Sequence, residues 1–255
     1  MNGIILQLEQ AGYRVSIDDK APYYEGMLTL LGGVEGIELL RDAAQVRLLS
    51  HAQVRKGRAY TNRELFQLSG GNPHNLEHTL LQLVKRHIWL RGYRLRCPNC
   101  TLEYWYRPQE LSDPLTCVGC YRPFIAPLEQ PFAYQLNPLF AEGLRQGALT
   151  VLLALYLSYQ QNAAVQWAFG LLLQGEYQTD IDLMVFDGER LYVIECKDNV
   201  ADEVALQAQI ERGLIIAGQL PNAEYVFATL GDPPPIVEQL PLKVWSAKQL
   251  LSHSI

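Results

Sequence analysis

The eighteen residues from Asp180 to Lys197, DIDLMVFDGERLYVIECK, allow few folds. Two apolar runs, 181–186 and 191–196, are rich in β-branched and aromatic residues and flank an Asp187-Gly188 turn. That pattern predicts an antiparallel hairpin with a short loop at 187–190. Setting Phe186 opposite Leu191 places Met184 opposite Val193, Asp182 opposite Glu195 and Asp180 opposite Lys197. Side chains alternate along a strand, so one face should run from Phe186, Met184, Leu191 and Val193 into three carboxylates and an ammonium.

Opposed side chains sit with Cβ atoms about 5 Å apart, where like charges are destabilising. Asp182 facing Glu195 therefore needs an offset: a raised pKa, the nearby lysine, or a divalent cation. Hard cations such as Mg²⁺ take oxygen ligands, often one or two carboxylates with phosphate and water. A lysine beside such an ion can orient or deprotonate a water. A solvated strand end with scattered charges is the bland alternative. The apolar residues on the same face favour the metal site.

The pattern resembles the PD-(D/E)XK nuclease superfamily, the restriction-endonuclease-like fold, over about residues 138–250. Asp182 matches that family's acidic position on the second strand, and Glu195 and Lys197 match its E-x-K on the third. The proline usual before the aspartate is replaced by Ile181. The resemblance implies an α/β (α+β) core in the order α-β-β-β-α-β. It also implies Mg²⁺ or Mn²⁺ held by Asp182, Glu195 and the Cys196 backbone carbonyl, with Lys197 beside the attacking water. The family's first core helix often lends a further acid. Glu142 is the only acidic residue on the helix expected from Asn137-Pro138 onward, and facing solvent is its alternative role.

A second pattern is independent of the first. Cys97-Pro98-Asn99-Cys100 and Cys117-Val118-Gly119-Cys120 are two C-x-x-C knuckles separated by sixteen residues. Four thiolates so spaced suit a closed, structural tetrahedral Zn²⁺ site, and the stretch 97–125 resembles a zinc ribbon. Two disulfides are the alternative, disfavoured in a reducing compartment. Tyr104, Trp105 and Tyr106 between the knuckles could stack on bases or pack the ribbon. The fifth cysteine, Cys196, is most simply core.

Overall charge argues against a polyanionic partner, because 21 Lys and Arg stand against 27 Asp and Glu. The distribution reverses that argument. Residues 51–96 carry nine Lys/Arg against Glu64 and Glu77, whereas 126–255 carry six against fifteen acids. A basic front half can hold a phosphate backbone while an acidic back half holds metal. Arg55, Lys56, Arg58, Lys85 and Arg86 are the candidate nucleic-acid contacts, with a solvated helix surface as the alternative. The opening residues lack a basic n-region, and the apolar run 148–159 is too short to span a bilayer. The expected compartment is the cytoplasm.

In chain order, residues 1–50 read as a helical region with one extended piece at 13–17 and no catalytic pattern. Residues 51–96 read helix, turn, helix, strand and resemble a winged helix, with a small packing subdomain as the alternative. Thr61 and Glu64 have the spacing of a capping box, and Asn75–His87 shows an apolar stripe. After the ribbon, residues 132–255 form the nuclease-like domain. Its first strand is expected over Val165–Leu173, a helix over 202–219, and later strands at 223–228 and 242–245. The nuclease resemblance implies a metal-dependent nuclease, with DNA as the expected substrate and restriction or phage defence as a setting by analogy alone. The competing reading is a catalytically inactive nucleic-acid-binding or partner-docking subunit that keeps the fold. A protein partner supplying target recognition, or a second copy of the chain, fits either reading.

Overall fold

The computed structural model describes residues 2–55, 57–70, 73–127, 129–175, 178–200 and 202–251. Lys56 and Glu176 lie outside the described residues. The chain forms two compact units, residues 1–43 with 143–255, and residues 44–142. The N-terminal residues, which carry no catalytic pattern in the sequence, thus join the acidic C-terminal half.

The first unit is built on a six-stranded sheet whose centre is the expected hairpin, Gln178–Phe186 and Leu191–Lys197. Its register pairs Leu191 with Phe186 and Val193 with Met184, as the sequence pattern requires. The Asp187 carboxylate organises the loop, accepting from the N–H groups of Glu189 and Arg190 at 2.9 and 2.7 Å and from the Tyr192 hydroxyl at 3.1 Å. Gly188, at φ +101°, supplies the left-handed conformation the turn needs. Strand Gln166–Gln174 continues the sheet on one side, and Arg14–Ile17 pairs antiparallel at that edge. Ala223–Thr229 and Lys243–Trp245 pair parallel on the other side. A parallel neighbour requires a crossover. Helix Glu203–Gln219 provides it, capped by the Asp202 carboxylate accepting from the N–H groups of Val204 and Ala205.

Helix faces explain how the sheet is covered. Leu206, Ile210, Ile216 and Ala217 of the crossover helix and Ile4 and Leu8 of helix Asn2–Gln10 share one apolar cluster with Met184, Val193 and Phe227. Helix Ala148–Gln161 is apolar almost all round, with every residue from Ala148 to Leu155 buried, and it packs on the three central strands and on helix Ala21–Leu31. The single long helix expected from Asn137 is instead two. Asn137 caps Pro138–Arg145 through its carboxamide oxygen, which accepts from the Leu139 N–H at 2.9 Å, and Gly147 at φ +80° separates this helix from Ala148–Gln161.

The second unit carries helix Ala43–Val54, strand Ala59–Thr61, and helices Asn62–Ser69 and Pro73–Lys85. The Thr61–Glu64 capping box forms in full. A four-stranded sheet runs in the order Ala59–Thr61, Phe132–Leu136, Trp89–Arg96, Glu103–Tyr106. The chain beyond Trp89–Arg96 carries the first knuckle, rejoins the sheet as Glu103–Tyr106, carries the second knuckle, and rejoins it again as Phe132–Leu136. Among the described residues no helix is long and apolar enough to cross a membrane.

Gly213 marks where the crossover helix lies closest to the sheet, since a Cβ there would sit 2.1 Å from the Tyr225 ring. Gly213→Ala gains about 1 kcal/mol of helix propensity and loses more to the forced shift of Tyr225. Urea unfolding should show the variant less stable by about 1–3 kcal/mol net of that gain. An unchanged midpoint would show that helix and sheet can part freely.

Candidate functional site

The hairpin ladder stops where the acidic residues begin. Its last pair is Ile194 with Leu183, and Asp182 and Glu195, next in register, are not paired. On the other side of the same strand, Phe169 pairs with Leu183 and Leu171 with Ile181, leaving Gly170 opposite Asp182 without a rung. Gly170 has φ +51°. Ile181 and Met184 both enter one apolar cluster, as do Ala168 and Leu171, although strict alternation would separate each pair. The alternation thus shifts phase in both strands at Asp182 and Gly170 with no change of register. This corrects the expected face, because Asp180 is no longer on the side of Met184 and Phe186.

The break frees a backbone donor for Asp182. Its carboxylate accepts from the Cys196 N–H at 2.9 Å, spanning the opened ladder. Asp182 is 6 % exposed and Glu195 3 %. Burial raises the Asp182 carboxyl, against the lowering effect of Lys197 and the Cys196 N–H. Burial, then the charge of Asp182, raises Glu195 well above the ordinary range, against the pull of Lys197. Lys197 makes a close ion pair with the buried Glu195 Oε1. The ammonium is held above its ordinary value because Glu195 and Asp182 outweigh the desolvation that lowers it. Lys197 therefore carries a positive charge at neutral pH beside the two carboxylates.

Three contributors at this site, Asp18, Lys20 and Asp198, carry no signal in the hairpin sequence. The turn between Arg14–Ile17 and Ala21–Leu31 brings Asp18 and Lys20, with Lys20 Nζ 3.3 Å from Asp180 Oδ2 and 3.9 Å from Asp18 Oδ2. Asp198, directly after Lys197, accepts from the N–H and hydroxyl of Thr150 on the buried helix, and burial raises its carboxyl. Cys196 is buried, its thiol pushed up by burial.

The remaining candidates lie in the second unit. Glu142 is half-buried on Pro138–Arg145. Arg55 and Lys85 are exposed, and Arg86 is half-buried. Arg58 pairs with Glu64 at 3.1 Å and lies over the Tyr60 ring, while Arg94 reaches the same carboxylate at 3.2 Å. Glu64 is held down at about 2: burial, which would raise it, is outweighed by the Thr61 N–H and the two guanidiniums.

The four knuckle cysteines come together. Their sulfurs all lie within 4.8 Å of one another, with Cys97–Cys120 and Cys100–Cys117 both at 3.7 Å. A disulfide needs about 2.05 Å. Tetrahedral Zn²⁺ with Zn–S near 2.3 Å sets sulfurs about 3.8 Å apart, so the set fits a metal such as zinc. Each knuckle folds alike: the Thr101 and Tyr121 N–H groups donate to the Cys97 and Cys117 carbonyls, and both residues adopt φ near +60°, 63° and 58°. Tyr104 and Tyr106 pack the ribbon core, and the Trp105 indole N–H donates to the Ala133 carbonyl at 3.2 Å. These aromatics are structural.

No protein-family model and no curated protein matches this sequence. Among solved structures, protein VC1899 from Vibrio cholerae is similar at TM-score 0.49 and 14% identity, over 96% of this chain and 57% of that one. Can2 from Sulfobacillus thermosulfidooxidans, solved with cyclic tetra-adenylate, is similar at TM-score 0.39 and 13% identity, over the same shares. The chain thus spans less than two thirds of either. Likeness at this level assigns neither family nor activity.

Two measurements follow from these sites. Native protein should release one zinc per chain to a chromogenic chelator after thiol modification, and Cys117→Ser should abolish that release and destabilise the ribbon. Zinc-free native protein would refute the centre. For Glu195, a raised carboxyl pKa means the folded chain binds this proton more tightly than the unfolded one. Ionising it costs stability, a cost absent below the ordinary value of 4.5 and complete above the folded value. Glu195→Gln removes the cost, so in EDTA its stability relative to the parent should grow as pH rises from about 4 to 8. A difference in urea midpoint that stays flat with pH would show that Glu195 is not ionised against its surroundings.

Proposed function

We propose that this chain is a metal-dependent nuclease of the PD-(D/E)XK type, acting on DNA. The observation that carries the reading is the buried Asp182–Glu195 pair at the opened end of a central hairpin, with Lys197 against it. Such a pair is unfavourable to folding and serves no packing purpose. The buried Glu195 and Asp182 carboxylates side by side suit a hard divalent cation. Asp182, Glu195 and the Cys196 carbonyl would hold Mg²⁺ or Mn²⁺. The bound ion supplies Lewis-acid polarisation of the scissile phosphodiester and acidifies a water.

The side chains do the rest. Lys197, fixed as an ammonium by its two carboxylate neighbours, donates to the attacking water and to the phosphoryl oxygen on which charge develops. Water attack would form a P–O bond and break the bond to the 3′ oxygen, leaving a 5′-phosphate; the water's proton passes to solvent, and the departing 3′ oxygen takes one up to become a hydroxyl. The Cys196 N–H fixes one Asp182 oxygen and so orients the other. The helices, strands and sheet order of the second unit support a winged-helix module whose wing is extended into the ribbon. In this reading its exposed Arg55 and Lys85 contact the phosphate backbone.

Cleavage of plasmid, linear and single-stranded DNA with Mg²⁺, Mn²⁺ or EDTA tests the proposal. Asp182→Asn and Glu195→Gln should each slow cutting at least about 100-fold, a few kcal/mol of transition-state stabilisation. Lys197→Ala should cut slowly while retaining Mn²⁺ affinity. Carboxylate variants that cut like the parent would remove the chemistry from this pair, and a parent that neither cuts nor binds divalent ions would make the protein a binding subunit.

A further inference from the structure

We propose that Lys20 is a phosphate-contacting residue of this site, meeting the substrate backbone on the side of Asp182 opposite Lys197; the inference rests on the nuclease reading. Lys197 extends from the strand on one side of the Asp182 strand, and Lys20 comes from a turn anchored on the strand on the other side.

That anchoring is specific. The Asp18 N–H donates to the Gly170 carbonyl at 2.7 Å, and the Lys20 N–H donates back to Asp18 Oδ1 at 2.9 Å. Gly170 is the residue opposite Asp182 where both ladders lapse, and a Cβ there would press on Ala21 at 3.0 Å and Asp18 at 3.3 Å. The feature that opens the sheet around Asp182 therefore also seats the turn that carries Lys20. A lysine placed only for solubility would need no such seat.

Charge gives the reason for a cation here. Asp18, Asp180, Asp182 and Glu195 surround two ammoniums, so a polyanion approaching the buried pair meets an acidic rim. Lys20 and Asp180 are each about one-third exposed, at 34% and 35%, so their ion pair is weak and readily exchanged. The flexible four-carbon stem lets the ammonium leave Asp180 for a phosphate oxygen. Lys197, paired with a carboxylate only 4% exposed, has no such freedom.

The test uses full-length Lys20→Met, which keeps the stem, and Lys20→Arg, which keeps the charge. Binding of fluorescent duplex DNA is followed by anisotropy in Ca²⁺ across a salt titration, Mn²⁺ affinity by EPR without DNA, and single-turnover cleavage at saturating Mn²⁺. Losing one phosphate contact should make the slope of log affinity against log salt shallower by about 0.9 in Lys20→Met. Cleavage should fall about 10- to 100-fold, as for loss of one charge-stabilising donor, with Mn²⁺ affinity unchanged or tighter. Lys20→Arg should restore most of both.

An unchanged salt slope with parental cleavage would make Lys20 a charge balancer and overturn the proposal. So would a cleavage loss that tracks lost Mn²⁺ binding. A parent that does not cut, with the slope still shallower in Lys20→Met, would sink the nuclease reading and leave the phosphate contact standing.

Discussion

Two carboxylates buried side by side set the terms for the whole first unit. A buried, unpaired charge is among the most unfavourable things a fold can contain, and Asp182 and Glu195 sit at the centre of a six-stranded sheet. They are tolerated because the ladder lapses on both sides of Asp182, which frees the Cys196 N–H as a donor. Lys197 supplies the countercharge for Glu195, and the surrounding helices supply the apolar mass that keeps water out. The conflict remains in the raised carboxyl pKa values, and a divalent cation would relieve it.

The hairpin was legible in the sequence because its information is local. Turn chemistry and two-residue periodicity sufficed to fix the register from Phe186 and Leu191 back to Leu183 and Ile194. The Thr61–Glu64 and Asn137 caps were legible for the same reason. What failed was strict alternation beyond Leu183. The phase shift there depends on Gly170, a residue in a neighbouring strand that looks like an ordinary strand glycine until its φ is known. Nor could the sequence place Lys20, which lies 160 residues from Asp180 and looks like part of a solvated Asp-Asp-Lys turn. Knuckle spacing revealed the cysteine cluster, because four thiols at such intervals have few other uses. Spacing could not show that the two knuckles are separated by a strand of another sheet.

That last arrangement ties the ribbon to the sheet rather than hanging it free. Tyr93 and Phe132 are cross-strand neighbours, with ring centroids 5.1 Å apart. Between the knuckles the chain returns as Glu103–Tyr106, the sheet's fourth strand, where Arg94 reaches Glu64 at 3.2 Å and the Trp105 indole donates to the Ala133 carbonyl. Loss of a metal from the knuckles would therefore loosen an edge of the sheet as well as the ribbon. The Trp105 indole, held across that edge, could serve as a built-in fluorescent reporter of the metal.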